Sequence, residues 1–101
     1  MNLIADKQDE LAQLCRRFEV ERLDLFGSAT GDDFDPARSD LDFLVCFRPC
    51  PPAEHYERYF GLLEALQALF NRRIDLIESD ALRNPYLIKE VEKERVPLYA
   101  A

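Results

Sequence analysis

The stretch LFGSATGDDFDPARSDLDFLV, residues 25–45, begins and ends like a buried strand yet holds five aspartates: Asp32, Asp33, Asp35, Asp40 and Asp42. Ionised carboxylates in apolar surroundings are costly unless a charge or a metal partners them, and Arg38 is the only cation in the stretch. A fold of this chain must therefore bury both apolar ends and still leave the acids where water or a cation can meet them.

The flanks show how. Residues 20–26, VERLDLF, alternate and stop at Gly27-Ser28, the pattern of a strand entering a tight turn. Residues 41–47, LDFLVCF, predict a second strand, and residues 73–78, RIDLIE, a third. Leu11, Leu14, Cys15 and Phe18 recur at helical spacing and predict a helix over 5–18. A longer helix is expected over about 54–70, with Tyr56, Tyr59, Phe60, Leu63, Leu66 and Phe70 along one side as core, and Gly61 as a weak point within it. Asn84-Pro85 opens a short helix, and VPLY, 96–99, is a last strand that Pro97 confines to an edge. Helix, strand, strand, helix, strand, helix, strand is the order of an α/β (α+β) domain with a small mixed sheet backed by helices.

Length and charge narrow the functions. The chain's 101 residues suffice for one domain, 1–101, and no repeat or linker divides it. Thirteen basic against 20 acidic residues give a net charge of −7, which disfavours nucleic acid and anionic membrane as partners. A nucleotide carried by a metal into an acidic cleft is still compatible with it. Cys15, Cys46 and Cys50 are odd in number and lack a Cys-x-x-Cys spacing, so free thiols in a reducing compartment are expected. No charged-then-apolar leader opens the chain and no apolar run nears the length of a membrane span, so a cytoplasmic location is expected.

Successive strand residues face opposite sides, so Asp40 and Asp42 share one face while Leu41, Phe43 and Val45 enter the core. Asp75 alternates in the same way between Ile74 and Leu76. If these strands are neighbours, three carboxylates converge. Hard oxygen ligands of this kind suit Mg²⁺, which keeps its waters and takes further ligands from phosphates. Gly27 lets the backbone approach a phosphate and Ser28 adds a hydroxyl, so the turn and the acids can hold opposite ends of one ligand.

Gly27-Ser28, eleven residues, then Asp40-Leu41-Asp42, with Asp75 beyond, resembles the signature of the DNA polymerase beta-like nucleotidyltransferases. The short chain and its tail, NPYLIKEVEKERVPLYA at 84–100, are similar to the minimal nucleotidyltransferases, the MNT group. The resemblance implies a polymerase beta-like palm, two Mg²⁺ ions held by Asp40, Asp42 and Asp75, and ATP bound through Gly27 and Ser28. It also implies transfer of AMP to a hydroxyl, with Asp75 helping to deprotonate the acceptor. Minimal members are often antitoxins paired with a small helical HEPN-type toxin, adding AMP to a toxin tyrosine. The chain departs from many members in reading Ala29-Thr30-Gly31 where an arginine is common, which implies either weaker triphosphate binding or a contribution from Arg38 or a residue of a partner.

Competing readings attach to the same residues. A catalytically silent member would neutralise its partner by contact alone, and a stand-alone enzyme would modify a small hydroxylated molecule, with a homodimer supplying the pocket. Asp32, Asp33 and Asp35 read as solvated loop acids and do not form a calcium loop, since the turn glycine is missing. Asp24, between Leu23 and Leu25, reads as non-catalytic, and His55 as an exposed residue near a helix start.

Overall fold

A computed structural model of the chain describes residues 2–26, 41–79, 85–86, 88–89 and 95–101. The elements are helices α1 (Asn2–Ala5) and α2 (Gln8–Arg17), strands β1 (Val20–Phe26) and β2 (Leu41–Phe47), helix α3 (Pro52–Phe70), and strands β3 (Ile74–Glu78) and β4 (Val96–Ala100). The four strands form one mixed sheet in the order β3-β2-β1-β4. β1 pairs antiparallel with both β2 and β4, while β2 and β3 run parallel. A parallel pair needs a crossover rather than a hairpin, and the 19 residues of α3 supply it.

Local chemistry sets the element ends. Pro52 opens α3, where its missing N–H would have had no intrahelical partner anyway. Asn71 closes α3 in the left-handed conformation at φ 51°, which asparagine tolerates better than most residues. The helix expected over 5–18 is two pieces, because Lys7 leaves helical geometry and its N–H bonds back to the Ile4 carbonyl at 3.0 Å. The tight turn lets both Ile4 and Leu11 reach the core.

One face of the sheet carries that core. Leu23 and Leu25 of β1, Leu41, Phe43, Val45 and Phe47 of β2, and Ile74 and Leu76 of β3 pack with Leu11 and Cys15 of α2 and Leu62, Leu66 and Phe70 of α3. The Phe43 and Phe70 rings meet at 5.9 Å between centroids. Burial pushes the Cys15 thiol up to about 12, so it stays neutral and acts as a small apolar side chain.

The aromatic side of α3 corrects the sequence expectation. Tyr56 and Phe60 are exposed, at 66% and 43%, and Leu62 takes a place in the buried row beside Leu66 and Phe70. A row at 62, 66 and 70 steps by four, and Tyr56 and Phe60 lie away from it, meeting each other at 4.6 Å instead. Gly61 has a packing reason. A Cβ built there would stand 2.5 Å from Cε1 of Phe18. That ring is also held by the Arg17 guanidinium, 5.2 Å from its centroid.

The other face is polar, with one buried charge. Asp24 is 2% exposed and is the register partner of Leu44, which is buried outside the main core. Its Oδ2 lies 3.7 Å from Nε of Arg22 and 3.8 Å from a terminal nitrogen of Arg95, just ahead of β4. Its Oδ1 has no partner among the described residues. Burial raises the Asp24 pKa, and Arg95 and then Arg22 oppose the rise only in part.

Two outcomes follow from this packing. Gly61→Ala gains about 1 kcal/mol of helix propensity but forces the Phe18 ring aside, at an overpacking cost of about 1–3 kcal/mol. Urea midpoints should show a net loss in Gly61→Ala that Gly61→Ala with Phe18→Leu recovers; a gain in the single variant would contradict the contact. For Asp24, a raised native pKa means that the folded state holds more protons than the unfolded one above the ordinary carboxylate range. Its contribution is most favourable below that range and falls as pH rises through the raised value. The melting temperature of the native protein minus that of Asp24→Asn should therefore decline as pH rises from about 4 towards neutrality. A constant or rising difference would contradict it.

Candidate active site

β2 and β3 are neighbours, and Asp42 and Asp75 are register partners in the parallel ladder. Adjacent strands lie about 4.8 Å apart, and residues in register share a face. Asp42 is half-buried and Asp75 exposed, each between core residues: Leu41 and Phe43 for the first, Ile74 and Leu76 for the second. The alternation that drives the apolar neighbours into the core thus turns both carboxylates to the opposite face. Asp40, Gly27 and Ser28 lie outside the described residues, as do Asp32, Asp33, Asp35 and Arg38.

Two like charges side by side are unfavourable without a cation between or beside them. Among the described residues no three His, Cys, Asp or Glu side chains gather to hold a metal. The pair itself offers hard oxygen donors, and that donor set fits Mg²⁺. It lacks the nitrogen and sulfur donors that zinc prefers.

β3 is an edge strand, so something must hold Asp75 in register. The Tyr59 hydroxyl of α3 donates to the Leu76 carbonyl at 2.5 Å, one residue past Asp75. Burial, then the charges of Glu78 and Asp75, raise the Tyr59 pKa, so the phenol keeps the proton it donates. His55 Nε2 and Glu78 Oε1 meet at 2.5 Å, a second tie between α3 and β3. Sequence reasoning placed Tyr59 in the core for its ring and missed its clamp on β3. The available signal was the tyrosine itself, since a half-buried hydroxyl needs a partner. His55 stands near the start of α3, as expected, but is half-buried rather than exposed, with its ring edge-on to Phe47.

Residues 10–98 match the family model described as a nucleotidyltransferase domain. A putative protein adenylyltransferase of Methanocaldococcus jannaschii is 29% identical over 100 residues, covering 95% of this chain and 98% of its own. A second protein of that name and organism is 30% identical over 81 residues, covering 79% of this chain and 78% of its own. Among solved structures, one described as a putative minimal nucleotidyltransferase has a TM-score of 0.77 at 28% identity, covering 94% of this chain and 92% of that one. The Shewanella oneidensis complex of a tri-AMPylated HEPN toxin with its MNT antitoxin matches at a TM-score of 0.59 and 18% identity, covering 96% and 72%, a likeness of fold. The sheet order, the paired carboxylates and the length of the match agree: this chain belongs to the nucleotidyltransferase domain family.

Proposed function

We propose that this nucleotidyltransferase moves AMP from ATP to a hydroxyl, most specifically a tyrosine of a partner HEPN-type toxin, and so acts as an antitoxin. The observation that carries the reading is the register pairing of Asp42 with Asp75 on one face of the sheet. Its support beyond this chain comes from relatives named as protein adenylyltransferases and from toxin–antitoxin structures of the same fold, one of them with AMP-PNP.

Asp42 and Asp75, with Asp40, would hold Mg²⁺, and Gly27 and Ser28 would hold phosphate. The metal, when bound, neutralises the carboxylates and the charge that develops on the departing pyrophosphate. The acceptor oxygen bonds to the α-phosphorus as the bond from that phosphorus to the pyrophosphate oxygen breaks. Asp75 would take the acceptor's proton, a role that its exposure on the edge strand supports. A protein acceptor suits so small a palm, because the docked partner itself supplies proximity and orientation.

Incubation with α-labelled ATP, Mg²⁺ and the product of the adjacent gene should label that product on tyrosine. Asp42→Asn and Asp75→Asn should each lower labelling by at least about a hundredfold, the scale of losing a catalytic group. Asp32→Asn, Asp33→Asn and Asp35→Asn should leave it nearly intact. Equal losses in both sets would overturn the ligand assignment. A partner silenced without label, equally well by Asp42→Asn, would show an antitoxin that acts by contact alone.

A further inference from the structure

Resting on that reading, the cation that meets the triphosphate needs a source. The loop after Gly27-Ser28 reads Ala29-Thr30-Gly31 and carries no arginine at that point. The chain's net charge is −7, and the paired acids add to the repulsion that an incoming polyphosphate would feel.

The sheet brings one arginine into line with the acids. Asp75 pairs with Asp42, and Asp42 pairs with Phe26. On the far side of β1, Leu25 pairs with Val96 in an antiparallel ladder, so the next step along sets Arg95 beside Phe26. The transverse row across the sheet is therefore Asp75, Asp42, Phe26, Arg95. With strands about 4.8 Å apart, Arg95 and Asp42 lie about 10 Å apart along that row. Arg95 also shares the acids' face. It stands two residues before Pro97, which pairs with Asp24, and its guanidinium reaches the Asp24 carboxylate on that face.

Among the described residues, the charge balance beside Asp24 favours an anion. Two guanidiniums, Arg22 and Arg95, flank one carboxylate, at 3.7 and 3.8 Å. Those separations are longer than the 2.7–2.9 Å or so of a charge-assisted hydrogen bond, so Asp24 orients the guanidiniums by ionic attraction without occupying their donors in a tight bond. The Arg95 side chain is 29% exposed, and guanidinium presents its donors in a fork that matches phosphate.

We infer that Arg95 is a phosphate-binding residue of the nucleotidyl-transfer site, taking the outer phosphates of the nucleotide whose metal-bearing end lies on Asp42 and Asp75. Asp24 is then a positioning residue. It holds the Arg95 guanidinium on the acids' face of the sheet, and this gives its burial a use.

Calorimetric titration with ATP and with AMP, each with Mg²⁺, tests the assignment without relying on turnover. Arg95→Ala should weaken ATP binding by at least about tenfold, the scale of a hydrogen bond to a charged group, while AMP affinity changes less than about twofold. Arg95→Lys should recover part of the loss. Because Arg95→Ala leaves Asp24 short of a partner, Asp24→Asn with Arg95→Ala removes the orphaned charge. Weak ATP binding should persist in that folded double variant. ATP binding like the native protein's in Arg95→Ala, or its return in the double variant, would overturn the role. A native protein that binds no ATP at all would overturn the proposed function, and this inference with it.

Discussion

The parallel pairing of β2 and β3 is the constraint on which the rest depends. Parallel neighbours cannot be joined by a tight turn, so the chain must leave the sheet, cross its face and return. α3 makes that crossing, and its Leu62, Leu66 and Phe70 join Phe43, Val45 and Leu76 in one core, with the Phe70 ring against Phe43. The crossing fixes register, and register decides which residues meet. With Asp42 opposite Asp75, two carboxylates stand together; a slip of one residue would place Asp42 beside Ile74 or Leu76 and turn an acid into the core. Tyr59 guards against such a slip by bonding the Leu76 carbonyl from the helix side.

The two faces of the sheet have divided duties. The helix side is apolar and continuous, and its packing supplies stability. The opposite side carries Asp42, Asp75, Asp24, Arg22 and Arg95, charged groups that would weaken a core. Asp24 shows the cost of that arrangement. Its carboxylate is buried, its two arginines stand beyond tight hydrogen-bond distance, and one of its oxygens has no partner among the described residues.

Much of this was legible in the sequence, for physical reasons. β1 and β2 were read at the bounds observed, because alternation over seven residues bounded by turn signals leaves little choice. Pro97 placed the last strand at an edge, where β4 lies. Asp42 and Asp75 stood out as acids between apolar neighbours. Less could be read where the signal was ambiguous. Tyr56 and Phe60 look like core by composition, and only the rotation of α3 set by Leu62 and Phe70 exposes them. Gly61 looked like a defect, since no local pattern announces Phe18 against it. Glu19 takes a left-handed φ of 58°, an option that costs a non-glycine residue about 1–2 kcal/mol and that nothing in its neighbours foretells. The alignment of Arg95 with the acids could not be read, because it comes from register across the sheet, not from spacing along the chain.

If Asp42 and Asp75 form one metal-binding unit across the β2–β3 ladder, a single ion touches both. Crystals grown with Mn²⁺ and a non-hydrolysable ATP analogue test it directly, because manganese scatters anomalously and reports its own position. An anomalous peak is expected within coordination distance of a carboxylate oxygen of both Asp42 and Asp75, with the analogue's phosphates as further ligands. Bound nucleotide with manganese held elsewhere, or with the two carboxylates on different ions and sharing none, would contradict it.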